Sequence, residues 1–486
     1  MSKNVCVIGA GLAGGIIASR LASRGHVVTL VECGSAPAPL LPEDEDWQIA
    51  KVKSPFTRGR GLGGTSNFWH GGLTTLAQSD VDGLVAGGGR AKSPIPYREL
   101  CDYYETAIEI LRGNAALSLQ DIERPADESK GAFTFTNRAF SAKALVYPDK
   151  PFSSRPLIAQ AERFHGLRVI DNFEVKRLLG DGPRRVRYAD GVDLVQGTRR
   201  RLAADIFVLS AGGLGSPKVL LQSRQGLAPL EQLPIGRGFI DHPTGFVFKA
   251  KLRRKTDLGP FFGVGRNGYK QLYGFTLKPE HLGEAYGRNH ILLLRPAISM
   301  KDPASYDFLK RKLSAYRGRF LRPMELGYLL WHADLLFDAV NFKYGFSSST
   351  SYVSGLVFAE QEPEDESGIF YSGNGRFDVR WRVTDKDCRS LDKFLKTFFE
   401  NYSDQFERVR IFEDMHARLD SAAHHSGACR ISANAGEGVV DRDFRVFGMD
   451  NLYVSDGSTL AYSGHANTGL TIAALALRFC DVVERA

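Results

Sequence analysis

The sequence predicts a chain of mixed class, α/β joined to α+β. A Rossmann-like dinucleotide-binding domain is interleaved with a second domain built on an antiparallel sheet with helices. Three observations carry this reading. At the N-terminus a strand, a glycine-rich turn, a helix, a second strand and an acid follow in order. Segments of the same buried strand-and-turn kind return near residues 205 and 452. Between about 245 and 420 the pattern changes to strands of alternating residues.

The first element is "NVCVIGAGLAGGIIASRLASRGHVVTLVE". Val5 to Ile8 is a short apolar strand, and Gly9, Gly11 and Gly14 then spell G-x-G-x-x-G. Such glycines give a tight turn, close approach to a pyrophosphate and close helix–strand packing. Ile16 to Ser23 continues as a helix whose N-terminus supplies partial positive charge to phosphates, and Leu12 and Ala13 within the glycine turn are taken as cofactor-binding. Glu32 closes the second strand, where a carboxylate can bind ribose hydroxyls. A second match, Gly59-x-Gly61-x-x-Gly64, follows no buried strand and opens no helix, so it is rejected. One fingerprint predicts one dinucleotide, and at this point both NAD and FAD remain open.

The remaining elements follow in order. Residues 35–58 read as a long Pro- and acid-rich loop, and "GRGLGGTSNFWHGGLT" as a glycine-dense loop around Trp69. "SPIPYRELCDYYETAIEILRG" becomes an amphipathic helix. "LRVIDNFEVKRLLGD" has strand character, and "RRVRYADGVDLVQG" reads as a hairpin pivoting at Asp190-Gly191. "ADIFVLSAGGLGSPKVLLQS" is a strand, a turn and a helix. "GFVFKAKLRR" and "FDVRWRVT" read as strands of an antiparallel sheet. "NLYVSDGS" returns as a buried strand, and "SGHANTGLTIAALALRF" opens a terminal helix. Residues 1–90, 151–245 and 416–486 are therefore assigned to the nucleotide domain, 91–150 to an excursion from it, and 246–415 to the second domain.

Composition narrows the function classes. Over 486 residues, 43% hydrophobic and 24% charged content is ordinary for a soluble globular chain. No apolar run reaches membrane-spanning length, and the N-terminus goes directly into a strand, so a cytoplasmic location is expected. The six cysteines are scattered without a C-x-x-C pair and are read as reduced thiols. The formal charge of +8 is modest, and no nucleic-acid motif accompanies it. No metal-ligand cluster and no hydrolase elbow is found, so no metal is expected.

Several segments resemble, in the family's own order, the glucose–methanol–choline (GMC) oxidoreductases. These are the first fingerprint, "GRGLGGTSNFWHGG", "SPIPYRELCDYYETA", "ADIFVLSAGGLGSPKVLLQS", "PIGRGFIDHP", "HHSGACRIS", "GVVDRDFRVFGMDNLYVSDGS" and "SGHANTGLTIAALALRFCDVV". They cover roughly half the chain. The resemblance implies an FAD-binding domain, a substrate domain and oxidation of an alcohol. It places the loop Gly63-Gly64-Thr65-Ser66 beside the isoalloxazine, with Asn67, Phe68 and Trp69 also taken as cofactor-binding. Some relatives attach FAD through a histidine four places after the second glycine; here that position is Phe68, so non-covalent FAD is expected. His70 would need a shift of register to take that role. The resemblance also places Val175 at the adenine, Ala211 and Gly212 beside the nucleotide, and Asp456 and Gly457 at the pyrophosphate and ribityl chain.

By the same resemblance, His424 of "HHSGACRIS" is the catalytic base and Asn467 its partner. Imidazole titrates near neutrality and can accept the hydroxyl proton, while an amide can hold the oxygen without competing for it. Thr468 replaces the family's proline and Gly469 its threonine, which predicts a looser turn at Asn467 and Thr468. His465 is the alternative second catalytic residue. His242 is read as a structural turn residue and His26 as a surface one.

A sugar, glycoside or cyclitol is the leading substrate class, with a hydrophobic or lipid-linked alcohol as the alternative. A flavin-bound isomerase without net oxidation, and a binding protein with a relic nucleotide domain, stand beside it. The electron acceptor stays open between oxygen, quinone and a carrier protein. The basic, aromatic stretch from Leu309 to Phe346 reads either as a helix pair covering the substrate domain or as a surface for peripheral contact with anionic membrane.

Overall fold

The computed structural model describes residues 2–39, 47–49, 58–82, 92–124, 135–257, 268–282, 288–297, 299–300, 349–373, 375–462 and 464–485. The stretch from Leu309 to Phe346 lies outside the described residues, and so does Ser463. Among the described residues no helix is long and apolar enough to cross a membrane.

A five-stranded parallel sheet forms the nucleotide half. Its order is Leu452–Val454, Ile206–Leu209, Asn4–Ile8, Val27–Val31 and Leu167–Ile170. These strands are nearly continuous apolar runs because helices cover the sheet. The first helix, Leu12–Ser23, packs on the terminal helix Thr468–Arg485 and on the helix Ser154–Ala161. The sheet thus gathers strands from both ends of the chain around the central Asn4–Ile8.

Two strand readings need correction. The segment expected to turn at Asp190-Gly191 is one unbroken strand, Val186–Asp193, and the chain reverses after it to pair again as Arg199–Ala203. Asp190 is fully buried and accepts from Arg177 Nε (3.2 Å) and Arg199 Nη2 (2.5 Å). A Cβ at Gly191 would lie 2.7 Å from the Phe173 ring. Cross-strand packing therefore overrides the local turn signal. "FDVRWRVT" supplies the strand Arg376–Arg380, but it pairs with Gly368–Gly373 and Trp47–Ile49 in a small separate sheet.

The substrate half is a large antiparallel sheet in the order Phe406–Ile411, Pro243–Asp257, Ser349–Phe358, Ile291–Ala297, Tyr269–Leu277 and Phe140–Pro148. The amphipathic helix Asp385–Tyr402 covers one face. Its Phe394, Phe398 and Tyr402 meet Phe140 and Phe275 edge-on, and Phe398 stacks on Phe248 at 30°, arrangements the ring quadrupoles favour.

Candidate active site

The glycine turn is built for close approach. Gly9 has φ +104°, and a Cβ at Gly14 would lie 1.8 Å from the Gly9 carbonyl oxygen. Gly11 precedes the first helix without any side-chain cap and has open space where a Cβ would stand. The helix therefore keeps orphan backbone N–H groups at an uncrowded N-terminus, which suits a pyrophosphate. Glu32 Oε2 accepts the Ala10 N–H at 2.8 Å. Burial pushes the Glu32 carboxyl above its ordinary range.

The rejected second glycine match lies against the first. Gly63 donates its N–H to the Ala10 carbonyl at 3.0 Å, and a Cβ at Gly64 would come within 2.9 Å of Gly11 Cα. Gly64–Asn67 forms a single 3-10 turn. Asn67 holds this loop: its Nδ2 donates to the Leu62 and Gly64 carbonyls, and its Oδ1 accepts from Ser153 Oγ.

These segments enclose a cavity of about 1130 Å³. Of the residues singled out in the sequence, Gly9, Gly11, Leu12, Ala13, Glu32, Gly64, Thr65, Phe68, Trp69, His70, Val175, Ala211, Gly212, His424, Asp456, Gly457, Asn467, Thr468 and Gly469 line it. Gly14, Gly63 and Asn67 support the lining without joining it. Asp456 ties the last strand to the returning glycine turn: its Oδ2 accepts the Gly212 N–H at 2.9 Å and the Ser216 hydroxyl at 2.5 Å. A cradle lined by glycine, with an uncapped helix end and the Glu32 carboxyl beside it, fits FAD. Among the described residues no His/Cys/Asp/Glu group is arranged for a metal.

His424 reaches the cavity through an irregular pairing. Asp420 and Ser421 pair with Thr244 and Pro243, and Ser426 pairs with Ile240. Two residues, Asp241 and His242, therefore face four, Ala422 to His425. The surplus arches outward, with Ala423 at φ +63°. Asp241 pins the arch: its Oδ1 accepts the N–H of His242 (2.6 Å) and of His424 (3.0 Å), and its Oδ2 accepts the Ser421 hydroxyl (2.5 Å). Burial raises the Asp241 carboxyl to about 6. His425 Nε2 lies 3.6 Å from Asp241 Oδ2, and burial lowers its pKa to about 3, so it stays neutral near pH 7.

Asn467 stands on the same cavity, against Gly72 and the Tyr147 ring. A Cβ at Gly72 would meet Asn467 Nδ2 at 2.2 Å and Tyr147 at 2.9 Å. The helix begins at Thr468. Gly469 is explained by Trp69, whose ring carbon Cζ3 would lie 2.1 Å from a Cβ there, while its Nε1 donates to the Phe152 carbonyl at 2.6 Å. The glycine makes room for an indole, which corrects the reading of Gly469 as a source of looseness.

Three histidines are placed differently from expectation. His465 does not line the cavity; it is 3% exposed, and neither ring nitrogen has a hydrogen-bond partner. Burial lowers its pKa well below the ordinary histidine value. His26 is buried, its Nδ1 accepting the Lys3 N–H and its Nε2 lying 2.6 Å from Glu484. His242 does more than shape a turn: its Nδ1 lies 2.7 Å from Nδ1 of His424. Asp241, His242, Gly72 and Tyr147 were missed in the sequence. Asp241 and His242 share the signal "FIDHP" and Gly72 closes "GRGLGGTSNFWHGG", while Tyr147 left none.

Residues 371–476 match a family model described as GMC oxidoreductase. The 2-methyl-1,2-propanediol dehydrogenase of Mycolicibacterium austroafricanum is 23% identical over 60% of this chain and 50% of its own length. This chain therefore spans about half of that relative. The fructose dehydrogenase large subunit of Gluconobacter japonicus is 21% identical over 99% of this chain and 98% of its own. Among solved structures, pyridoxine 4-oxidase superposes with a TM-score of 0.60 at 17% identity, covering 100% of both chains, a likeness of fold.

Proposed function

From the GMC oxidoreductase domain that this chain carries at residues 371–476, and from its fold, we propose an FAD-dependent enzyme that oxidises an alcohol to a carbonyl compound. The observation that carries the proposal is that His424 and Asn467 line the same cavity as the uncapped glycine turn and Glu32. Bound FAD supplies the acceptor for the carbinol hydride. Gly9, Gly11, Leu12, Ala13 and Glu32 hold its pyrophosphate and ribose, and Gly64, Thr65, Asp456 and Gly457 flank the rest. His424 takes the hydroxyl proton, and Asn467 donates to the alcohol oxygen. The start of the terminal helix adds partial positive charge beside Asn467 and Thr468. The second catalytic residue is Asn467 in preference to His465, because His465 is sealed away from the cavity. FAD is held without a covalent bond, since Phe68 occupies the position of the linking histidine.

One side of the substrate wall is apolar, lined by Phe246, Leu272, Leu293, Leu356 and Phe358, while Tyr147, Arg295, Thr244, Arg418 and Asp420 give the cavity polar members. That lining favours an alcohol with an apolar or aromatic body, a shift from the sugar expected above. A sugar is the second reading, supported by the end-to-end similarity to a fructose dehydrogenase subunit. The six cysteines are free thiols, which supports a reducing compartment. Anaerobic mixing of the holoprotein with aromatic alcohols, aliphatic diols and sugars tests the proposal. Bleaching of the flavin by at least one class, with release of the carbonyl product, is the expected result. An unbleached flavin with every class defeats it.

A further inference from the structure

We propose that His242 is a positioning residue that dictates which nitrogen of His424 carries the proton. The chain of reasoning starts at Gly464, whose carbonyl oxygen lies 2.8 Å from His242 Nε2. A carbonyl oxygen only accepts, so His242 Nε2 holds a hydrogen. His242 is 0% exposed, and a neutral imidazole carries its hydrogen on one nitrogen alone. Its Nδ1 is therefore a bare acceptor. Nδ1 of His424 stands 2.7 Å away, and one of the two must donate. Only His424 has a hydrogen to give. Neutral His424 is thus held with hydrogen on Nδ1 and the lone pair on Nε2.

The ring geometry agrees. The two imidazoles cross at 88° with centroids 5.0 Å apart, the separation that a straight bond between in-plane nitrogens gives. One carboxylate registers both rings, because Asp241 Oδ1 accepts the backbone N–H of His242 and of His424. The pairing has a chemical consequence. A base needs its lone pair on the nitrogen that meets the substrate; with hydrogen on Nε2, His424 would offer a donor there instead. Once Nε2 has taken the hydroxyl proton, the Nδ1–H of the cation still donates to His242, now as a charge-assisted bond. His242 therefore sets the tautomer before proton transfer and stabilises the cation after it.

This inference rests on His424 being the base, but its test does not depend on turnover. Histidine-selective ¹⁵N NMR of the holoprotein, with the His424 signals assigned by their loss in His424→Asn, reads the tautomer directly. A protonated Nδ1 and a bare Nε2 are expected; hydrogen on Nε2 overturns the proposal. The second arm compares His242→Phe, which removes the acceptor, with His242→Asn, whose Oδ1 replaces Nδ1. Flavin content serves as the check on folding. His242→Phe should slow anaerobic flavin reduction by about 10²-fold, the lower end of a general-base contribution. His242→Asn should recover most of that loss, and equal losses in the two variants count against the proposal. If no alcohol reduces the flavin while NMR finds hydrogen on Nδ1, the functional reading fails and the tautomer assignment stands.

Discussion

The carboxylate of Glu32 accepts the backbone N–H of Gly61 across 3.1 Å, so one acid joins the first glycine turn to the second glycine loop. With its other oxygen on Ala10, Glu32 already serves two buried donors before any ribose is bound. Glu32→Ala should weaken FAD retention by about 10- to 100-fold, as expected for losing charge-assisted hydrogen bonds. It should also lower thermal stability, since the Ala10 and Gly61 N–H groups lose their acceptor. Flavin titration of the apoprotein and a melting curve check both. At saturating FAD the flavin reduction rate should be unchanged.

The two adjacent histidines should separate cleanly. His424→Ala should keep its flavin yet slow reduction by about 10²–10⁴-fold. His425 also lines the cavity, but its ring is held beside Asp241 and 5.6 Å from the Phe239 ring, and burial keeps it neutral. His425→Ala should change the reduction rate far less. Stopped-flow traces of both variants decide, and comparable losses would reverse the assignment.

Acidity should act through Asp241 and His425 with opposite signs. The folded-state pKa of Asp241 is raised by burial from 3.8 to about 6. Its stabilising contribution is whole below pH about 4 and is lost as pH rises through about 6. His425 is depressed from 6.5 to about 3, so its contribution is whole above pH about 6.5 and fades as pH falls toward 3. Asp241→Asn mimics the protonated acid. Relative to the native protein it should gain up to about 3 kcal/mol above pH 6, since each tenfold change in proton affinity is worth about 1.4 kcal/mol. The gain should close below pH about 4. Melting curves across this range test it; a difference that does not vary with pH would remove Asp241 from the titration.

What the sequence disclosed follows a physical division. The nucleotide half was legible because its chemistry is local: Gly9, Gly11 and Gly14 fix their own turn, and Glu32 follows at the end of the next strand. The site's deeper layer is made by pairing across long separations. Nothing near His242 announces that the sheet will carry it to His424, 182 positions away. Nothing beside Gly469 reveals that Trp69 will press on it. The turn signal of Asp190-Gly191 failed for the same reason, since cross-strand pairing of the buried Asp190 with Arg177 and Arg199 outweighs a local preference. His465 was legible as unusual but not as buried, because its helix mouth is closed by segments distant in sequence.

Gly72 offers the sharpest test of Asn467. A methyl group there would meet Asn467 Nδ2 at 2.2 Å and the Tyr147 ring at 2.9 Å, both below any ordinary carbon contact. The backbone at Gly72 has no left-handed φ, so Gly72→Ala introduces no torsional strain of its own. The change acts through displacement of its neighbours. Tyr147 is carried by the strand Phe140–Pro148 and has little freedom to withdraw. Asn467 must therefore turn its amide away, taking with it the hydrogen bond proposed for the alcohol oxygen. Gly72→Ala should keep FAD and fold normally, yet slow flavin reduction by about 10- to 100-fold, the worth of one preorganised hydrogen bond of roughly 1.5–3 kcal/mol. Asn467→Ala should fall by a similar factor. The double variant should fall little further, because both changes remove the same contact. Additive losses in the double variant would show that Gly72 acts on something other than Asn467.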